Sequence, residues 1–198
     1  GTLFLDVLTA ADPRVFAAPR EPLVVGAVLI SRAARQATFP ADFQLIAAMN
    51  PSPQGTEIHS RAAQRYRAKV SGPLLDRIDI HLEIPRVPAA ELDRPAEPGE
   101  DSATIRDRVI DARQRMLRRQ GVVNARLDAR GVADQVPLAR AERDMLNQAI
   151  EKLQLSGRAR ERILKLARSI ADYDRRPAID GSVLAEAIGY RNLDRMFA

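Results

Sequence analysis

Two short apolar runs, each ending in one polar residue, constrain the fold of this chain more than any other feature. The run TLFL ends at Asp6, and FQLIAAM ends at Asn50, where Pro51 stops the strand. Short, largely apolar runs of this length are typical of buried parallel strands. Because parallel strands end at the same sheet edge, we expect Asp6 and Asn50 to lie side by side, where open α/β folds bind ligands.

A hairpin pattern lies between these two runs. In the segment 24–39, the β-prone runs AVLIS and ARQATF flank a polar tip that carries Arg32 and Arg35. Two such runs separated by a short polar tip predict a β-hairpin.

An arginine between acids stands in front of a third β-prone segment. Arg77 lies between Asp76 and Asp79, and the run at 78–84 alternates apolar and polar residues, which predicts a half-exposed strand. Arg77 has two interpretations. It either reaches a phosphate across a subunit boundary or forms a surface ion pair with the neighbouring acids, which would contribute little to stability.

Composition narrows the class of protein. The chain has 198 residues, of which 45% are hydrophobic, and no cysteine, so it can build a core but no disulfide or thiolate zinc site. It has no apolar run of membrane-spanning length and no signal-peptide pattern, so we expect a cytoplasmic protein without a membrane partner. The net charge of +5, carried mainly by arginine, fits either a phosphate-rich partner or an arginine-rich genome.

A proline-rich segment at 85–101 predicts a linker between a unit at 1–84 and a helical unit at 102–198. Apolar spacing and capping residues predict four helices in the second unit, which would form a small bundle. Their predicted ranges are 102–120 (with Ser102 as N-cap and Gly121 as stop), 138–153, 157–174 and 180–189. Six arginines on the first helix indicate either a solvated face or a nucleic-acid contact.

Arg158 is the residue of the helical unit that the sequence most strongly indicates as a phosphate contact. It lies in the first turn of the predicted helix at 157–174, after the turn Leu155-Ser156-Gly157. A helix start that faces the sheet edge would let Arg158 reach a bound phosphate, and Arg162, one turn later, is the second choice. The alternative for either residue is an ordinary surface arginine. His59, in a polar loop, is assigned no role.

Three strings carry a resemblance to a known family: LISRAARQATFPADFQLIAAMNP, RYRAKVSGPLLDRIDIHLEIP and SGRARERILKLARSIADYD. They closely resemble the ComM/YifB family, magnesium-chelatase-like AAA+ ATPases that act as hexameric DNA branch-migration helicases. The resemblance covers essentially the whole chain and corresponds to the C-terminal part of the family protein, from the Walker B strand onward. It implies ATP and Mg²⁺ as cofactors, DNA as a partner and a homo-hexamer for the complete protein.

The resemblance also implies roles for single residues. Asp6 matches the Walker B acid that organises Mg²⁺, and Asn50 matches sensor 1, which orients the attacking water. Arg77 matches the arginine finger, which acts on ATP held by the neighbouring subunit. Arg158 matches the sensor 2 position on the lid.

The hairpin with Arg32 and Arg35 resembles the pore-facing hairpin of related helicases, which implies contacts with the DNA backbone rather than sequence readout. Two departures accompany this resemblance. Val7 occupies the position of the family's general base, an acid, and no Walker A sequence G-x-x-x-x-G-K-[ST] occurs in the chain.

We therefore predict an α/β plus all-α fold. It consists of an incomplete AAA+ P-loop core, whose parallel sheet lacks the Walker A strand, followed by a helical lid bundle. We expect no ATP hydrolysis by the chain alone. Two alternatives stay open: a non-enzymatic DNA-binding or adaptor module, and the ATPase subunit of magnesium chelatase.

Overall fold

The chain divides into two compact units. The computed structural model describes residues 1–6, 22–32, 35–50, 61, 72–75, 77–85, 87–89 and 99–191. The first unit reaches Ile78, and the second, which we call the helical unit, begins at Asp79. Val7, His59 and most of the predicted linker at 85–101 lie outside the described residues.

Two pairs of strands form the β structure of the first unit. Strands β1 and β4 pair in parallel, with Leu5 opposite Ala47. Strands β2 and β3 form an antiparallel hairpin, as the sequence predicted. In chain order the elements are β1 (Thr2–Leu5), helix α1 (Pro22–Val25), β2 (Ala27–Arg32), β3 (Arg35–Pro40), β4 (Gln44–Ala47) and helix α2 (Gly72–Leu75).

One face of the parallel pair packs on a hydrophobic cluster. Leu5 and Leu45, on neighbouring strands, contact the buried residues Leu74 and Leu75. Phe4 and Ile46 alternate with them and are exposed. The apolar runs predicted strands buried on both faces, whereas in the described part of the chain β1 and β4 bury alternate residues.

The prediction of a strand at 78–84 is wrong. These residues form no ladder with the other described segments. Ile80, Leu82 and Ile84 are 45%, 66% and 88% exposed, and the buried residue among them is His81, at 6%. A period-two pattern shows which residues share a face, but a strand also needs a partner for its backbone groups.

Five helices and a 3₁₀ turn form the helical unit between residues 99 and 191. Helix α6 is central, because it contacts α3, α4, α7 and the 3₁₀ turn. Apolar side chains from four of these helices and the segments between them, including the fully buried Leu146, Ile163 and Leu184, form one core. The helices are α3 (Ser102–Gln120), α4 (Ala129–Gln135), α5 (Arg140–Leu153), α6 (Gly157–Tyr173) and α7 (Gly181–Gly189), and the 3₁₀ turn is Asn124–Arg126.

Capping side chains fix the helix starts. Asp101, rather than the predicted Ser102, caps α3 by accepting a hydrogen bond of 2.7 Å from the Thr104 N–H. Asp180 caps α7 and accepts from the Ser182 and Val183 N–H groups. At the other end of α3, Gly121 has a φ of 76°, a left-handed conformation that glycine adopts at little cost.

The segment between α3 and α5 was not predicted from the sequence. The 3₁₀ turn and the seven-residue helix α4 bury Asn124, Leu127 and Val132 against the core. A helix of seven residues spans only about two turns, so its periodicity falls below what a sequence pattern detects. The other four helices occur within two residues of their predicted ends.

The apolar spacing that predicts α3 corresponds to a buried face over only half of the helix. Ala112 is buried and Met116 is partly buried, but Ile105 and Val109 are exposed. All of residues 102–110 are exposed in the described part of the chain, so only the C-terminal half of α3 packs within the helical unit.

A buried polar network joins α3 to α6. Asp172 is 3% exposed and accepts hydrogen bonds from both terminal nitrogens of Arg119 and from the Asn124 amide at 2.9 Å. Arg168, also buried, lies 3.1 Å from the same carboxylate and donates to the Arg176 and Pro177 carbonyls. Buried charges need such partners, so this network holds the two helices in one arrangement.

Candidate functional site

The C-terminal edge of the parallel pair carries two of the predicted site residues. Asp6 follows β1 directly, and Asn50 comes three residues after the end of β4. The Ala48 N–H donates to the Leu5 carbonyl at 2.9 Å, which continues the pairing to the position of Asp6. The predicted side-by-side arrangement of the strands is therefore confirmed, with Asn50 two residues beyond the register of Asp6. Both side chains are exposed.

Arg77 is placed by the same hydrophobic cluster. Its N–H donates to the Leu74 carbonyl at 2.9 Å, and the Ile78 N–H donates to the Leu75 carbonyl at 3.0 Å. Because Leu74 and Leu75 are buried against β1 and β4, one cluster holds both the sheet edge and the turn with Arg77. This turn is fixed by burial of a Leu pair, since short isolated turns have little stability of their own.

The chemistry of the sheet edge fits one side of a Mg²⁺-nucleotide site. A carboxylate such as Asp6 is an oxygen ligand of the type that Mg²⁺ takes, and an amide such as Asn50 can orient a water by hydrogen bonds. Bound ATP would supply the phosphates on which such residues act. Backbone donors for those phosphates would have to come from a phosphate-binding loop, and these 198 residues contain no sequence of that type.

Arg158 belongs to the helical unit. Ser156 caps α6 by accepting a hydrogen bond of 3.1 Å from the Ala159 N–H, and Arg158 follows two residues later with an exposed side chain. One turn further along, Arg162 forms an ion pair with Asp79. The sequence suggested Asp79 as a possible surface ion-pair partner of Arg77. In the structure, the Asp79 carboxylate forms an ion pair with Arg162.

The hairpin brings the predicted DNA-contacting residues opposite each other. Arg32 and Arg35 are register partners at the tip end of β2 and β3. Residues 33–34 and the side chains of both arginines lie outside the described residues.

Half of the arginines on α3 form ion pairs within the helical unit. Arg108 pairs with Glu100 and lies 5.3 Å from the centre of the Tyr173 ring, Arg115 pairs with Asp111 at 2.9 Å, and Arg119 belongs to the buried network. The hydrogen bond from Arg115, assisted by its charge and those of neighbouring arginines, lowers the pKa of Asp111. The remaining three, Arg106, Arg113 and Arg118, are exposed, and a nucleic-acid contact by this helix stays a prediction.

Sequence reasoning missed the polar residues that the helical unit buries. Asn124 and Asp172 gave no signal, because their partners Ser169 and Arg119 lie 45 and 53 residues away in the chain. His81 gave a misleading signal, since it occupies a polar position of an alternating run and is nevertheless buried.

Within the described ranges, no group of three or more His, Asp or Glu side chains is arranged to hold a metal ion. A single carboxylate at the sheet edge is consistent with Mg²⁺ that is held mainly by phosphates and water. None of the helices in the described part of the chain is both long and apolar enough to cross a bilayer.

A parallel strand pair with a polar edge, followed by a helical bundle, places the chain among α/β proteins with a helical second unit. The family model described as magnesium chelatase, subunit ChlI, matches residues 1–92, and the model described as magnesium chelatase, subunit ChlI C-terminal, matches residues 99–191.

Curated relatives match over nearly the whole chain. Competence protein ComM of Haemophilus influenzae is 42% identical over 99% of the chain, and the uncharacterized protein YifB of Escherichia coli strain K12 is 43% identical over 99%. An uncharacterized protein of Mycobacterium tuberculosis strain H37Rv is 32% identical over 96%. The chain therefore belongs to the magnesium-chelatase-like family, in the group that contains ComM and YifB. It spans 40% of the length of these relatives.

Proposed function

We propose that this chain is the C-terminal part of a ring-forming AAA+ ATPase that uses ATP hydrolysis to drive DNA branch migration. The observation that carries the proposal is the shared cluster in the first unit, which holds Asp6, the strand leading to Asn50, and Arg77 on adjoining elements. The similarity to a competence protein over 99% of the chain supports DNA as the substrate.

In the proposed mechanism, four residues have separate roles in ATP hydrolysis. Asp6 holds the Mg²⁺ that accompanies ATP, and Asn50 orients the water that attacks the terminal phosphate. Arg77 stabilises the charge that develops on ATP held by a neighbouring subunit of a homo-hexamer, which is where a positive charge lowers the barrier most. Arg158 contacts the phosphates bound by its own subunit.

The test of this function uses a fusion protein. Residues 1–198 are joined to the part of Haemophilus influenzae ComM that precedes the matched region, which the family resemblance predicts to carry the phosphate-binding loop. We expect the chain alone to show no ATP turnover, and the fusion protein to show slow turnover that branched DNA increases. Turnover by the chain alone, or turnover by the fusion protein that branched DNA leaves unchanged, would contradict the proposal.

A second function is favoured by one feature of the sequence. Val7 in place of an acid suits a non-enzymatic DNA-binding or adaptor module, because its side chain cannot act as a base. In this case the fusion protein would bind DNA without hydrolysing ATP. The descriptions of the two family models also favour an ATPase subunit of a magnesium chelatase, which would depend on chelatase partners rather than on DNA.

DNA contact by the hairpin gives a prediction common to the helicase and adaptor functions. Replacing Arg32 and Arg35 together by Ala is expected to lower the slope of log affinity against log salt concentration by roughly 2, because about one counterion is released for each phosphate contacted. Fluorescence anisotropy with labelled DNA at several salt concentrations measures this slope.

The matched control removes two arginines from another surface. Arg130 and Arg140 are largely exposed and face Asp134 and Asp144 at 3.9 Å, so their replacement by Ala changes the net charge equally. We expect this control to leave the slope nearly unchanged. Equal slopes for the two double variants would remove the hairpin from the DNA interface.

A further inference from the structure

The segment that follows Arg77 is attached to the helical unit at two points. The Asp79 carboxylate forms an ion pair with the Arg162 guanidinium on α6. Two residues later, the His81 N–H donates a hydrogen bond of 2.8 Å to the Tyr190 carbonyl, at the end of α7. His81 is buried, whereas its neighbours Ile80 and Leu82 are exposed. The contacts with the helical unit are therefore made by alternate residues, Asp79 and His81, on one side of the segment.

Both attachment points belong to one packed pair of helices. Helices α6 and α7 contact each other, and Val183, Leu184 and Ala187 of α7 are buried in the core of the helical unit. Arg162 lies four residues after Arg158, so the two arginines share one face of α6. A residue proposed to contact phosphate and a residue that holds Asp79 thus project from neighbouring turns of one helix.

We propose that Arg162, Asp79 and His81 are positioning residues that couple the helical unit to Arg77. The inference rests on the proposed roles of Arg77 and Arg158. Arg77 precedes Asp79 by two residues, a backbone distance of at most about 7 Å. A displacement of α6 when Arg158 meets a phosphate is passed through Arg162 and Asp79 to the turn that carries Arg77. Nucleotide in one subunit thereby adjusts the arginine that the same subunit presents to its neighbour.

Amide hydrogen exchange in the 198-residue chain tests this coupling without ATP. Arg162→Gln is expected to raise the exchange rate of the His81 amide about two- to five-fold, the range for loss of a partly exposed ion pair. If the segment is mechanically continuous, the Arg77 and Ile78 amides, which donate to the Leu74 and Leu75 carbonyls, show an increase of the same size.

Two further variants separate coupling from general loosening. Lys165→Gln removes a cation from the same helix, where it pairs with Glu161 at 2.9 Å, and is expected to leave all three amides unchanged. Exchanging the charges by Asp79→Arg with Arg162→Asp is expected to restore slow exchange. The amides of Ala167 and Ala171, in the buried part of α6, report whether each variant stays folded, and Asp79→Asn replaces Arg162→Gln if that variant does not.

The exchange rates of three amides decide whether the coupling exists. Faster exchange at His81, Arg77 and Ile78 that the charge exchange reverses supports the coupling. Faster exchange at His81 alone, no change at any of the three amides, or no restoration by the charge exchange overturns it. Because the measurement needs no nucleotide, failure of the ATPase proposal appears in the fusion-protein assay, and failure of the coupling appears here.

Discussion

Replacing Asp172 by Ala is expected to lower the unfolding free energy of the helical unit by about 3 kcal/mol, since it removes one partner of a buried ion pair. The variant leaves the buried Arg168 guanidinium without its carboxylate and takes two hydrogen bonds from Arg119. We place the cost at the lower end of the usual range because Arg168 keeps its bonds to the Arg176 and Pro177 carbonyls.

Urea unfolding followed by tyrosine fluorescence measures this cost, because Tyr173 and Tyr190 both lie in the helical unit. Asp174→Ala is the matched control. Asp174 lies two residues later and forms a more exposed ion pair with Arg176 at 3.5 Å, so its loss is expected to cost less than about 1 kcal/mol. Equal losses for the two variants would show that the buried network contributes no more than a surface pair.

The pH dependence gives a second measure of the same network. Burial opposes ionisation of Asp172, but hydrogen bonds from Arg119 and Asn124 and the nearby arginine charges outweigh it, so the pKa of Asp172 is lowered. A lowered pKa in the folded state stabilises the fold above the unfolded pKa of about 3.9, and this contribution is lost as the pH falls through the folded pKa. The difference between the parent chain and Asp172→Ala should therefore narrow below about pH 4.

Val7→Glu in the fusion protein is expected to raise ATP turnover by about 10²–10⁴, the usual contribution of a positioned general base. Val7 follows Asp6 directly, at the position where the family resemblance places an acid, and its side chain has no group that accepts a proton. A carboxylate at this position would take the proton of the attacking water. Steady-state phosphate release with saturating Mg-ATP measures the gain.

Val7→Gln serves as the control for this gain, because glutamine has nearly the shape of glutamate and does not act as a base. We expect the Gln variant to keep the slow turnover of the parent fusion protein. Similar rates for the Glu and Gln variants would mean that residue 7 does not lie beside the attacking water.

The sequence predicted those elements whose cause is local. The parallel pair follows from two apolar runs, the hairpin from two β-prone runs around a polar tip, and the start of α7 from Asp180. Each of these signals lies within a few residues of the structure that it specifies.

The errors concern partners that are distant in the chain. The alternating run at 78–84 lacks a ladder in the described structure, and the stripe of α3 is covered over only half its length, because a sequence pattern does not show what lies opposite. The network around Asp172 was missed for the same reason. At the candidate site, Asp6, Asn50 and Arg77 were predicted from the sequence. The structure shows that packing against Leu74 and Leu75 holds the segments that carry these residues. Their roles remain predictions.

The polar network between α3 and α6 also has an evolutionary consequence. Loss of Asp172, Arg119 or Asn124 alone leaves a buried polar group without one of its partners, whereas joint replacement by apolar residues removes that cost. Substitutions at these positions should therefore show strong epistasis, with a double-mutant effect smaller than the sum of the single effects. Homologous sequences would then change these residues together or keep all of them.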